Sequence, residues 1–344
     1  MSELIEKLQT EHDLTDTELL TFLTEPQPEE KLFAAAAAER RKWYGDAVYL
    51  RGLIEFTNYC KNNCYYCGIR AGNPHAERYR LTDEQILACC KEGYSLGYRT
   101  FVLQGGEDPY YTDEKICALV AAIVKQHPDC RITLSIGEKP RESYQRYYDA
   151  GARRYLLRHE TASPEHYRML HPESMSLENR KRCLLDLKAI GYQVGSGFMI
   201  GSPYQTPEYL LADIRFLQDL QPAMIGVGPY ITHKETPFAD MPSGDLHFSL
   251  KIIAMLRLLF PKALIPATTA FGSMHPQGRE LALKAGGNVM MPNLSPTAVR
   301  KLYDLYENKI CTGEEATQCK GCLEQRVKSA GYRIVSDVGD SLVK

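Results

Sequence analysis

The sequence predicts an α/β chain folded as a (β/α)8 barrel of the TIM type, with an N-terminal helical extension (residues 1–45), a barrel (46–300) and a cysteine-bearing C-terminal tail (301–344). Three observations predict it. Eight short apolar runs recur after residue 50: Leu53–Thr57, Thr100–Gln104, Ile132–Ile136, Tyr155–Arg158, Val194–Ile200, Met224–Gly228, Ile265–Thr268 and Asn288–Met291. Helical periodicity fills the stretches between them, and alternating strands and helices require a parallel sheet. Several helical stretches stop at a turn glycine (Gly97, Gly151, Gly191, Gly286) just before the next run. A doubly wound open sheet is the alternative with the same local pattern.

Residues 1–45 read as helix. Asp16 or Thr17 opens one segment, Pro26-Gln27-Pro28 stops it, and Leu32–Tyr44 is Ala-rich. The barrel helices are expected over Thr82–Leu96, Asp113–His127, Pro140–Ala150, Leu177–Ile190, Pro207–Leu220 and Leu246–Leu259, with a further helical stretch over Pro296–Tyr306. The 344 residues, 44% of them hydrophobic, exceed the roughly 250 that such a barrel needs. In a barrel, catalytic groups lie at the C-terminal ends of the strands. Polar residues fall there: Asn58 to Cys60, Gly105 to Asp108, Ser135, Arg158 to Glu160, Thr268 and Thr269.

A net charge of −2 argues against nucleic acid or an anionic membrane as partner. No apolar run approaches the ~20 residues of a membrane span, and the acidic, amphipathic N-terminus lacks a signal-peptide core. The expected location is cytoplasmic. In that reducing setting the 11 cysteines are not expected to form disulfides. Cys89, Cys90, Cys117, Cys130 and Cys183 have no motif spacing and read as small packing residues.

The other six cysteines form two groups. Cys60-x3-Cys64-x2-Cys67 follows the first barrel strand. Structural zinc takes four ligands, usually as two pairs, and no fourth is near. A [4Fe–4S] cluster normally takes four cysteines, so three leave one iron open to another ligand, such as the amino and carboxylate groups of S-adenosylmethionine (SAM). The second group, Cys311-x7-Cys319-x2-Cys322, lies in polar text. A second iron–sulfur cluster, [2Fe–2S] or [4Fe–4S], is the favoured reading. Zinc with a distant fourth ligand and a redox-active Cys319/Cys322 pair are the alternatives.

With Tyr66 just before its last cysteine, the first motif resembles the radical SAM superfamily. The resemblance narrows to maturases of [FeFe]-hydrogenase of the HydE type, on the stretches Arg51–Arg70, Gln104–Tyr110, Leu156–Thr161, Ile265–Thr269 and Met290–Asn293 and on the second cysteine group. Biotin synthase and methylornithine synthase are similar relatives.

The resemblance implies a [4Fe–4S] cluster on Cys60, Cys64 and Cys67, and reductive cleavage of SAM to a 5′-deoxyadenosyl radical. Gly105, Gly106 and Glu107 resemble the family's Gly-Gly-Glu motif, whose backbone receives the SAM ammonium; Tyr66, Arg158, Glu160 and Arg180 complete the expected cofactor set. It also implies a small organometallic or amino-acid-derived substrate, a cysteine-bound iron carbonyl cyanide species, processed for H-cluster assembly. The partners implied are other hydrogenase maturases and an electron donor. Thr133, Ser135, Thr268, Thr269 and Tyr303 are candidate substrate contacts. Two other readings stay open. One is a mutase or sulfur-inserting enzyme of the methylornithine synthase or biotin synthase type, although sulfur insertion would want the second cluster inside the barrel. The other is a non-catalytic iron–sulfur carrier or scaffold, which has no need of SAM contacts.

Overall fold

The computed structural model describes residues 2–313 and 316–343. Three helices come first: α1 (Ser2–Glu11), α2 (Asp16–Thr24) and α3 (Glu29–Tyr44). The cap of α2 is Thr15, which exchanges hydrogen bonds with Glu18 in a reciprocal capping box. Ile5, Leu8, Phe22 and Leu32 join the same apolar core as the barrel helices.

Strand β1 (Ala47–Leu50) leads into β2 (Gly52–Thr57), α4 (Asp83–Ser95), β3 (Thr100–Gly105), α5 (Asp113–Gln126), β4 (Arg131–Ser135), α6 (Arg141–Ala150) and β5 (Ala152–Leu156). Two helices follow, α7 (Pro164–Leu170) and α8 (Leu177–Ile190), then β6 (Gln193–Ser196), β7 (Met199–Ile200), α9 (Pro207–Leu220), β8 (Met224–Ile225) and β9 (Gly228–Pro229). The chain continues through α10 (Leu246–Leu259), which packs on α3, then α11 (Thr269–Met274), α12 (Gly278–Lys284) and β10 (Val289–Met290). It ends with α13 (Thr297–Arg300), α14 (Ala316–Ser329) and β11 (Arg333–Val335).

Six parallel strands run in the order β2-β3-β4-β5-β6-β8. Single-residue bridges complete the ring: Leu264 to Met224, Pro266 to Val289, and Asn293 to Leu53. The Leu53 N–H donates to Pro292 O at 2.9 Å, and Leu53 O accepts from the Leu294 N–H at 2.7 Å. The sheet is therefore a closed barrel and not an open one. Its seventh position is thin because Pro266 has no N–H to give to the ladder. The four glycines expected to end helices all sit at φ between +91° and +120°, where a side chain is strained.

The tail differs from expectation. The helix expected over Pro296–Tyr306 shrinks to the single turn α13. Beyond it the backbone bonds to other loops instead of to itself. Leu305 O accepts from the Gly68 N–H at 3.0 Å, Leu302 O from Asn58 Nδ2 at 2.7 Å, and the Glu307 N–H donates to Thr232 O at 3.0 Å. Residues 301–311 thus form a strap across the barrel mouth. After α14, β11 pairs with β1 in a three-stranded sheet that also holds β10. The chain then closes the opposite end of the barrel, where Asp340 meets Arg154 at 2.6 Å and Gln193 Nε2 at 2.8 Å. Of the five packing cysteines, four are buried and Cys117 is half-buried. No described helix is long and apolar enough to cross a membrane.

Candidate active site at the barrel mouth

The loop after β2 carries Cys60, Cys64 and Cys67, all half-buried. Its course is set by polar side chains that gather backbone carbonyls. Arg78 donates to the carbonyls of Asn58 (2.6 Å), Ile69 (2.8 Å) and Arg70 (2.7 Å). Asn63 Oδ1 accepts from the Gly72 N–H at 3.0 Å and from Arg70 Nη1 at 2.8 Å. Gly68 is required, since a Cβ there would lie 2.1 Å from Asp304 O of the strap.

The three thiols face one another. Burial pushes the Cys67 thiol up to about 12, and a neighbouring Cys60 charge adds to it. Cys64 is raised by burial and then by Cys67. Cys60 is raised by burial, against backbone N–H bonds from Asn62 and Glu107 that favour its thiolate. Protonated thiols do not bind metal, so this pocket favours thiolates only when a cation offsets the burial. Among the described residues no three Cys, His, Asp or Glu side chains converge closely enough to chelate a single ion. An iron–sulfur cube takes its thiolates at separate corners, which suits this spread.

The end of β3 packs directly on this loop. A Cβ on Gly106 would lie 2.2 Å from Tyr59 O and 2.7 Å from Cys60 Cβ, so only glycine fits. The Glu107 carboxylate is already engaged: it accepts from the Glu138 N–H at 2.9 Å and pairs with Lys61 at 3.2 Å. Glu138 in turn binds Arg180 Nε, and Arg180 Nη1 donates to Arg158 O at 2.8 Å. Arg158 Nη2 then reaches Glu160 at 2.8 Å. One polar chain, Glu107–Glu138–Arg180–Arg158–Glu160, therefore joins the ends of three strands.

Tyr66, Glu160 and Arg180 close around the cysteines. Tyr66 OH lies 3.1 Å from His171 Nε2, and burial, Cys64 and Glu160 raise its pKa. Burial alone would lower Arg180; Tyr167, Glu138, Tyr66 and Glu160 outweigh that and raise it. Glu160 sits at φ +65°, a left-handed conformation that costs a non-glycine residue roughly 1–3 kcal/mol. Met175 Sδ lies 3.7 Å from Cys64 Sγ. Beside the loop opens a cavity of about 610 Å³ lined by Lys61, Asn62, Glu107, Glu138, Met175 and others.

The five hydroxyls singled out above lie at different depths. Ser135 ends β4 opposite Gln104 at the mouth. Thr268 and Thr269 open α11; Thr268 Oγ1 is buried, and among the described residues it has no hydrogen-bond partner. Buried Tyr303, on the strap, is near Glu55, Cys67 and Gln104. Thr133 is set lower, across from Arg154 and beside the plugged end. Sequence reading missed Glu55, Asn293 and Lys309. The Glu55 carboxylate accepts from Asn293 Nδ2 and from Lys309 Nζ, both at 2.7 Å. A glutamate inside an otherwise apolar strand was the available signal. In the second cysteine group, Cys311 is half-buried at φ +62°, and Cys322 is exposed, accepting from Arg326 Nε at 3.3 Å. Cys319 belongs to α14, but its side chain lies outside the described residues.

A family model described as Radical SAM superfamily matches residues 54–217. The [FeFe] hydrogenase maturase subunit HydE of Thermotoga maritima is 46% identical over 310 residues, 90% of this chain and 88% of the relative. The chain belongs to the radical SAM superfamily. Another relative, 3-methylornithine synthase of Methanosarcina barkeri, is 33% identical over 83% of this chain and 81% of its own. The crystal structure of methylornithine synthase (PylB) superposes with a TM-score of 0.85 at 29% identity, covering 96% of this chain and 97% of that one. Radical SAM enzymes imply a [4Fe–4S] cluster and SAM, and the donor set fits both: three thiols, Cys60 and Cys67 with backbone N–H groups aimed at sulfur, beside glycines packed on the cysteine loop and a paired carboxylate and guanidinium.

Proposed function

We propose that this radical SAM enzyme is an [FeFe]-hydrogenase maturase of the HydE type. The observation that carries this is the 46% identity to HydE over 90% of the chain. Cys60, Cys64 and Cys67 hold the [4Fe–4S] cluster. When bound, the cluster would supply one electron, with which SAM is cleaved at its C5′–S bond to methionine and a 5′-deoxyadenosyl radical. Gly105 and Gly106 present backbone to the SAM ammonium, and Glu160 and Arg180 bring opposite charges to its zwitterionic end, with Tyr66 and Arg158 beside them. Arg180 already spends its Nε–H on Glu138 and one Nη1–H on Arg158 O, so three of its five N–H groups are left for SAM.

The substrate is a small cysteine-bound iron carbonyl cyanide species, and the product enters H-cluster assembly. Ser135, Thr268, Thr269 and Tyr303 contact it at the mouth, and Thr133 lies beneath them. Cys311, Cys319 and Cys322 hold a second iron–sulfur cluster. Other maturases and an electron donor are the partners, and no nucleic acid or membrane is involved. Residues 1–45, 46–300 and 301–344 divide the work into helical extension, catalytic barrel and cluster-bearing tail.

The test is anaerobic reconstitution with iron, sulfide, dithionite and SAM. The wild type should release 5′-deoxyadenosine, and Cys60→Ala, Cys64→Ala and Cys67→Ala should release none. Added to a maturation mixture lacking HydE, the wild type should restore hydrogenase activity. 5′-Deoxyadenosine release without restored maturation would favour a mutase instead.

A further inference from the structure

Behind the barrel wall, outside the site just described, lies a fully buried polar array. His159 follows β5, Ser196 ends β6 and Asp213 sits mid-way along α9; each is wholly shielded from solvent. His159 Nδ1 lies 3.0 Å from Ser196 Oγ, and His159 Nε2 faces Asp213 Oδ1 at 3.5 Å without forming a hydrogen bond. The same Asp213 oxygen accepts the backbone N–H of Ala162. One carboxylate on α9 thus binds backbone 162 and lies against side chain 159, the two positions that bracket the left-handed turn at Glu160. The Glu160 N–H donates to Gly197 O at 3.1 Å, which fixes the turn from the β6 side. Gly197 must be glycine, since its Cβ would lie 2.1 Å from Gly226 O.

The arrangement has a direct consequence for the mouth. With His159 held outward in the wall, Arg158 and Glu160 turn the other way and meet at 2.8 Å. A glutamate does not hold φ +65° unless its surroundings impose it, and here Ser196, Gly197 and Asp213 hold residues 159, 160 and 162 in turn.

We propose that Asp213, through His159 and Ala162, is a positioning residue that holds Glu160 in its left-handed turn and so presents its carboxylate to SAM. This rests on the SAM-binding role given to Glu160 above. Asp213 touches neither cofactor nor cluster, so it acts only by way of Glu160.

The experiment is a double-mutant cycle on the reconstituted protein, with SAM affinity measured by calorimetry and iron content and thermal midpoint recorded for each variant. Glu160→Gln and Asp213→Ala should each weaken SAM binding by about tenfold at unchanged iron content. The double variant should bind no more weakly than Glu160→Gln alone, because the clamp has nothing left to position. Asp213→Asn keeps an acceptor for the Ala162 N–H and should recover affinity to within about threefold of wild type. If Asp213→Ala does not accumulate, His159→Asn takes its place in the cycle with the same expected non-additivity. Additive losses, or wild-type SAM affinity in the Asp213 or His159 variant beside a weakened Glu160→Gln, would overturn the clamp. Wild-type affinity in Glu160→Gln would instead overturn the assignment of Glu160 to SAM.

Discussion

Lys309→Ala probes the strap that crosses the barrel mouth. Lys309 Nζ donates to Glu55 Oε1 at 2.7 Å and to Tyr303 O at 2.8 Å, and its side chain is 10% exposed against 2% for Glu55. Truncation leaves a buried carboxylate with one remaining side-chain donor, Asn293 Nδ2 on the other oxygen. Removing one partner of a buried pair costs about 3–5 kcal/mol. The surviving Asn293 bond and the slight exposure of Lys309 place the loss near the low end, about 3 kcal/mol, or roughly a hundredfold in the folded-to-unfolded ratio. With a urea slope of about 3 kcal/mol/M, the midpoint should fall by about 1 M. The assay is urea unfolding followed by circular dichroism, with Glu55→Gln/Lys309→Met as the control. Removing both charges should cost less than half of what the single change does. A single variant within 1 kcal/mol of wild type, or a double variant as unstable as the single, would refute the argument that this pair pins the strap.

Three further outcomes are expected. Arg180→Ala removes a charged contact assigned to SAM worth roughly 1.5–3 kcal/mol, so calorimetry should show affinity lower by about tenfold or more; an unchanged value would leave Arg180 as a link between Glu138 and the Arg158 carbonyl. Replacing Cys311, Cys319 and Cys322 together by Ala should lower iron content and alter the visible spectrum while 5′-deoxyadenosine formation persists; its loss in a folded variant retaining the first cluster would give the tail cluster an electron-transfer role. Asp108 is pulled both ways: burial raises its pKa, but bonds from Arg80, Thr57 and the Tyr110 N–H prevail and lower it. Its folded value lies below the unfolded one, so its stabilisation is complete above about pH 4 and disappears as pH falls through the folded value. Asp108→Asn should therefore be less stable than wild type at pH 7, with the gap closing in acid when urea midpoints of the metal-free protein are compared across pH.

Much of the candidate site is local in the sequence. Three thiols within eight residues, the Gly105-Gly106 pair and Arg158-His159-Glu160 are each written in one short stretch. What the sequence could not show is how these stretches are joined. Glu138 and Asp213 are ordinary charged residues in text. They matter because the fold brings one to Arg180 and the other to His159 and the Ala162 N–H. Glu55 and Lys309 are 254 positions apart, so no spacing reveals them as a pair.

The sequence by itself determined the eight apolar runs, helices α8, α9 and α10 to the residue, the glycine stops and the first cysteine motif, since periodicity, capping and turn chemistry act over a few residues. Only the tertiary structure decided that the ring closes through Leu53 and Asn293, because closure depends on strands at opposite ends of the barrel sequence meeting. It also decided the course of the tail. Residues 301–306 carry helical spacing in Leu302, Leu305 and Tyr306, yet their backbone groups are satisfied by the loops they cross, which no local pattern reveals. The charged Asp340, polar in any reading of the text, becomes the plug of the barrel because Arg154 is buried there and requires a partner.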